Sequence, residues 1–321
     1  MNIIKENHTF KVDESEKGMV LNMTKKQFVE LTEIYNLPIN FFLFIIGMSY
    51  SLANFHVFFN WRVVLFACVL SLIYIATNIH NNYHDFQNAK LVSYKEKSNI
   101  IGRENLNLSL VRQYMTFFFA LAFILGAILV YFTDFPTLLL GSFGFFVAWK
   151  YSAGKFSIHS TPLAETLPAF MSGVSIPMIT AHMASFNVKN TPFFEWRMFL
   201  VFLPAMLCVL IGLLCNNTCD LEEDIENGRK TLVYYIGKKV AVFLLNILYL
   251  VIFCLMIVNV LLGFLPFLAI FALLLAILPT LRALKIYQSL QSKKETYPLI
   301  MKSISIFLMS YALFYFLGVV F

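Results

Sequence analysis

WRMFLVFLPAMLCVLIGLLCNNTCDLEEDIENGRKTL, residues 196–232, falls into two halves of opposite character. Residues 197–217 are almost wholly apolar, and a helix of about 20 residues rising about 1.5 Å each spans the hydrocarbon core of a bilayer. The half that follows is crowded with Asn217, Asp220, Glu222, Glu223, Asp224, Glu226, Arg229 and Lys230. Lipid offers no partner to backbone N–H and C=O groups, so the apolar half is read as a membrane helix. Its polar continuation then lies at the membrane edge.

Similar apolar runs recur along the chain, near 38–59, 61–81, 110–132, 135–151, 163–184, 239–262, 264–281 and 298–321. Together with 197–217 they make nine candidate transmembrane helices and predict an all-α membrane protein. Composition agrees. The 321 residues are 59% hydrophobic and 13% charged, with a mean hydropathy of +0.74. A soluble domain carries about 25% charged residues. With 13 Gly, 10 Pro and 5 Cys and no CxxC pair, collagen, disulfide and zinc scaffolds are excluded. The cysteines read as small buried hydrophobes. Residues 1–37 lack the apolar core of a signal peptide and read as a polar cytosolic leader ending in an amphipathic stretch at Phe28, Leu31, Ile34 and Tyr35. The membrane domain is 38–321.

Basic residues give the orientation. Lys and Arg in the leader and in the loops after the second, fourth, sixth and eighth spans account for 21 of the 24; only Arg62, Lys189 and Arg197 fall on the other side. The positive-inside rule places the N-terminus in the cytoplasm, in what is taken to be the plasma membrane. The lipid bilayer is the partner this pattern implies. It points to no nucleic acid and specifies no oligomer.

Two polar segments interrupt the apolar pattern, both at cytoplasmic helix ends. The first is Thr77-Asn78-Ile79-His80-Asn81-Asn82-Tyr83-His84-Asp85. Spacings of three and four residues bring Asn78, Asn81 or Asn82, and Asp85 onto one helix face. In the second, Asn217, Asp220 and Asp224 share a face, with Asn216 close by. Oxygen ligands of this kind suit magnesium, a hard cation that keeps several waters and completes its shell with substrate phosphates. Arg103, Lys155, Arg229 and Lys230 supply the charge a phosphate-bearing ligand needs. Membrane-edge carboxylates are functional candidates because burying them unpaired is expensive. Glu222, Glu223 and Glu226 read instead as solvated loop charge. His80 and His84 have no third His or Cys nearby and are not read as a transition-metal site. Glu165 is left between orienting a ligand and capping its helix, and His56, His159 and His182 read as loop or interface residues.

Asn216–Leu232, in the form NNxxDxxxDxxxGRKTL, resembles the second aspartate-rich motif of the UbiA superfamily of intramembrane prenyltransferases. Asn78–Asp85 is similar to the first motif of that family, with Asn81, Asn82 and Asp85 in the corresponding places. Tyr151-Ser152-Ala153-Gly154-Lys155, with Leu163-Ala164-Glu165, is similar to a stretch of the branch that prenylates 1,4-dihydroxy-2-naphthoate for menaquinone. The likeness covers about 38–321. Asn82 stands where many members carry Asp, and Lys155 replaces the usual Pro.

The resemblance implies a UbiA-like bundle of nine helices and transfer of a prenyl chain from a polyprenyl diphosphate to an aromatic acceptor. It implies Mg2+ on Asp220 and Asp224, with Asn217, and on Asp85 with Asn81 or Asn82. Asn78, Arg103, Lys155, Arg229 and Lys230 become diphosphate ligands, and the Tyr151 ring a stabiliser of the allylic cation. Asp85, Asp220, Asp224 and Tyr151 are the expected catalytic residues. In the naphthoate branch the attacked carbon loses its carboxylate. Other acceptors (hydroxybenzoate, homogentisate, haem or a glycerol-type lipid) or cyclisation of the prenyl substrate form the alternative within the superfamily. A secondary transporter is disfavoured, because its charge belongs near the bilayer centre and here the middles of the spans carry almost none.

Overall fold

The structure is a computed structural model, and it describes residues 23–154 and 156–321. Residues 1–22 of the polar leader and Lys155 lie outside the described residues. Every regular element among those described is helical. We label the principal helices α1 (Lys25–Thr32), α2 (Leu37–Phe55), α3 (Trp61–Asn88), α4 (Leu108–Tyr131), α5 (Phe135–Lys150), α6 (Thr166–Ser185), α7 (Trp196–Cys219), α8 (Leu221–Asn227), α9 (Leu232–Leu261), α10 (Phe267–Ser289) and α11 (Tyr297–Val320). Each of the nine apolar runs corresponds to one helix. Among the described residues eight of these are long and apolar enough to cross a membrane. The remaining run, α5, has 16 residues and is shorter than the others.

Two helices depart from the apolar runs in ways that shape the site. Hydropathy falls away by residue 81, yet α3 continues to Asn88. Asn78 Nδ2 donates to the Tyr74 carbonyl at 3.1 Å and Asn82 Nδ2 to the Asn78 carbonyl at 3.1 Å. These bonds back onto the preceding turn keep polar side chains compatible with a helix at the membrane edge. In α9 the chain breaks at Gly237, whose φ of +76° an L side chain adopts only with strain. The first turn after Thr231 is thereby set at an angle to the long membrane helix.

α6 is the most enclosed span, packed between α2 and α7. Two glycines permit this. A Cβ on Gly47 of α2 would stand 2.3 Å from the Pro177 carbonyl oxygen, and one on Gly173 2.2 Å from Met206 Cα of α7. Backbones so close exclude any larger residue, the small-residue packing expected between helices in lipid. Elsewhere α3 packs on α4, α7 on α9, and α10 on α11. The outward faces carry Phe123, Phe243, Leu250, Leu274 and Leu278, all more than half exposed, as a lipid-facing surface requires. Cys208 and Cys215 are buried as expected, but Cys68 and Cys254 lie on this exposed apolar surface instead.

α1 carries the amphipathic end of the leader. Thr24 and Gln27 form a capping box at its start. Leu31 is fully buried, and Phe28 meets Tyr114 and Phe118 of α4. α1 therefore packs against α3 and α4 at the end of the bundle that carries both polar motifs.

Candidate active site

The second motif is built by ending one helix and starting another. The last turn of α7 holds Asn216 and Asn217, and the Asp220 N–H donates to the Asn216 carbonyl at 3.1 Å. α8 follows at once, with the Asp224 N–H on the Asp220 carbonyl at 2.8 Å. Gly228, at φ +82°, stops α8 and turns the chain so that the Arg229 N–H returns to the Asp224 carbonyl at 2.8 Å. The Arg229 guanidinium then lies 3.3 Å from Asp224 Oδ1. Asp224 is almost fully buried, and its Oδ2 is enclosed with no partner among the described residues. Burial pushes this carboxyl up to about 7, Arg229 pulling the other way and Asp220 adding to the rise. Asp220 faces differently: its Oδ2 accepts from Asn216 Nδ2 at 3.1 Å and from Lys293 Nζ at 2.5 Å.

The first motif occupies the last turns of α3. Asn81 Oδ1 accepts from the Ser152 hydroxyl at 2.6 Å. Asp85 Oδ1 lies 3.6 Å from His159 Nδ1. Burial pushes His159 down to about 3, with the Arg229 charge acting in the same direction, so its ring is neutral near pH 7. Burial also works against the charge of Arg229, but the Asp224 and Asp85 carboxylates outweigh it and raise its pKa. One guanidinium thus sits in the field of carboxylates from both motifs. The loops are tied as well, because Asn227 Oδ1 accepts from the Lys90 N–H at 3.0 Å, just beyond α3.

Glu165 closes the arrangement from below. It is fully buried and gives α6 no side-chain cap. Instead Oε1 accepts from Asn217 Nδ2 at 2.8 Å and Oε2 from the Leu232 N–H at 3.3 Å. These two partners bracket the whole second motif. Tyr151 donates weakly to the Ala164 carbonyl at 3.4 Å, and its ring meets His159 edge to face at 5.8 Å.

Of the residues selected from sequence, Asn81, Asp85, Tyr151, Asn217, Asp220, Asp224 and Arg229 are drawn into this one region. Lys230 borders it, exposed, with Nζ over the Tyr234 ring at 5.6 Å. Others are engaged elsewhere. Asn82 Nδ2 donates to the Leu31 carbonyl of α1 at 3.2 Å, and Asn78 Nδ2 donates within α3. Arg103 pairs with Glu30 of α1 and lies 3.5 Å from Glu104. His159, read from sequence as a loop or interface residue, stands against Asp85. Lys293 was counted only as loop charge, and its 73-residue separation from Asp220 leaves no local signal.

The donor set fits magnesium. Its oxygens are those of carboxylates and amides, and the buried Asp224 Oδ2 has no hydrogen-bond partner among the described residues. Among the described residues no group of three His, Cys, Asp or Glu is close enough to hold a metal unaided.

The apolar helices thus form a bundle that carries both polar motifs at one end. The profile of the UbiA prenyltransferase family matches residues 41–315, and the chain belongs to that family. It is 29% identical, over 222 residues, to the 1,4-dihydroxy-2-naphthoate octaprenyltransferase of Bacillus subtilis (strain 168), covering 67% of this chain and 68% of that one. Among solved structures it is similar to a digeranylgeranylglyceryl phosphate synthase (TM-score 0.62, 17% identity, 92% of this chain and 98% of that chain). A UbiA homologue from Archaeoglobus fulgidus bound to GPP and Mg2+ aligns with TM-score 0.61 at 14% identity, over 92% and 100% of the two chains. The apo UbiA homologue of Aeropyrum pernix K1 gives 0.65 at 18%, over 84% and 96%. These likenesses establish the fold. The chain is a multi-pass integral membrane enzyme that transfers prenyl groups.

Proposed function

We propose that this enzyme transfers a polyprenyl chain from its diphosphate to 1,4-dihydroxy-2-naphthoate, with loss of the ring carboxylate as carbon dioxide, at the cytoplasmic face of the plasma membrane. The observation that carries the reading is that Asp85 at the end of α3 and, 139 residues on, Asp224 of α8 with the Arg229 that follows it share one end of the bundle, where the Lys90 N–H ties the two loops through Asn227. Acceptor identity is supported by the naphthoate-specific relative and by the Tyr151–Lys155 and Leu163–Glu165 stretches. Sidedness is supported by the 21 of 24 basic residues on the motif side.

Asp220 and Asp224 would hold one Mg2+ and Asp85 with Asn81 a second, which would supply positive charge against the leaving diphosphate. Ser152 fixes the Asn81 amide for that task, and Asn217 is fixed by Glu165. Arg229 turns from Asp224 towards the phosphate oxygens, with Lys230 at the mouth as a second cation. Neutral His159 orients Asp85 without adding charge beside it. When the allylic C–O bond breaks, its electron pair leaves with the diphosphate, and the cation faces the Tyr151 ring. The naphthoate ring carbon supplies electrons to the new C–C bond, and decarboxylation restores aromaticity. Asn82 and Arg103 are assigned to holding α1 against the bundle rather than to substrate.

The test is carbon dioxide release from carboxyl-labelled 1,4-dihydroxy-2-naphthoate by purified enzyme in nanodiscs with a polyprenyl diphosphate and Mg2+. One carbon dioxide per prenylated product is expected. Product that retains the carboxylate, or turnover confined to another ring in a parallel panel, would overturn the naphthoate assignment while leaving prenyl transfer intact.

A further inference from the structure

Lys293 lies in the loop between α10 and α11, far in sequence from both motifs. Its ammonium nevertheless stands 2.5 Å from Asp220 Oδ2 and donates also to Asn216 Oδ1. Its stem leans over the Tyr297 ring, with Nζ 5.1 Å from the centroid. Asn216 Nδ2 is the other donor to the same Asp220 oxygen, at 3.1 Å. That oxygen therefore already receives two donors. A divalent cation bound there at the ordinary 2.0–2.1 Å would sit within a few ångströms of the ammonium, with like charges adjacent.

We propose that Lys293 is an internal counter-ion that competes with the divalent cation for the Asn216–Asp220 pair. This deepens the reading given above and rests on Asp220 being a metal ligand. Two other cations near the second motif are engaged elsewhere: Arg229 lies on Asp224, and Lys238 lies 2.6 Å from Glu222. Lys293 is thus the cation whose displacement opens Asp220. With 46% of its side chain exposed, it has room to swing aside on its flexible stem. A diphosphate arriving at the same edge takes up the released ammonium, so donor and metal favour each other's binding through one lysine.

Competition with a half-exposed ion pair is worth a modest factor. Manganese binding, read by electron paramagnetic resonance on purified protein in nanodiscs without substrate, measures it directly. Lys293→Gln is expected to bind Mn2+ about fivefold more tightly than the parent. Lys293→Met, which removes the charge with a different side chain, should match it, and Lys293→Arg should stay near the parent. The gap between Gln variant and parent should narrow as salt is raised and on adding inorganic pyrophosphate. Equal or weaker Mn2+ binding in both Gln and Met variants overturns the proposal. Failure of the underlying reading has a separate signature: Asp220→Asn would then bind Mn2+ as well as the parent.

Discussion

Asp224→Asn is expected to lower prenyl transfer by at least about a thousandfold while the protein still folds and inserts. The substitution preserves size and one acceptor oxygen, so packing in the buried pocket survives. It removes the negative charge that draws a divalent cation and that holds Arg229 in place at 3.3 Å. Neutralising a departing diphosphate is worth several kcal/mol, and about 1.4 kcal/mol corresponds to each tenfold in rate. Because burial already lifts this carboxyl to about 7, the charge is expensive to keep in the folded protein. Asparagine should therefore leave thermal stability close to the parent. Turnover of a radiolabelled donor by the folded variant is the measurement, and activity within tenfold of the parent would remove Asp224 from the mechanism.

The second large effect is expected at Glu165, which touches no substrate group in the proposed mechanism. Its two oxygens hold Asn217 and the Leu232 N–H, the two ends of the second motif. Alanine here leaves both donors buried without an acceptor, at about 1–3 kcal/mol each. We expect Glu165→Ala to cut kcat by about a hundredfold and to lower the thermal midpoint. Glu165→Gln should recover part of both, because the amide oxygen serves one donor while its NH2 faces the other. A purely structural role predicts lost stability with unchanged kcat per folded molecule. A positioning role predicts weaker Mn2+ binding by the folded fraction as well.

Much of this was legible in the order of residues. Each apolar run falls on one helix of the described residues, because lipid leaves the backbone no other form, though only eight of them are long and apolar enough to cross a membrane. The second motif was legible because its polar residues are local: Asp220, Asp224 and Arg229 sit within ten residues, and a glycine turn folds Arg229 back on Asp224. The first motif was less so. Asn81 and Asn82 are adjacent and thus about 100° apart on α3, and spacing alone does not tell which faces the second motif. In the fold Asn81 meets Ser152, and α1 claims Asn82. Gly102-Arg103 and Gly228-Arg229 are the same dipeptide, yet their backbones differ. Gly228 is a left-handed turn aiming its arginine at Asp224, whereas Gly102 is helical, pressed against the Lys95 carbonyl, and its arginine is drawn to Glu30 and Glu104. His159 and Lys293 reach the site only through tertiary packing, which no local pattern records.

The account stands most directly on metal-dependent prenyl transfer. Purified protein in nanodiscs, given a labelled polyprenyl diphosphate and 1,4-dihydroxy-2-naphthoate, should release one diphosphate per prenylated ring with Mg2+ present and lose both products when a chelator is added. Undiminished transfer in excess chelator, or no product with any aromatic acceptor from protein shown to be folded, would contradict it.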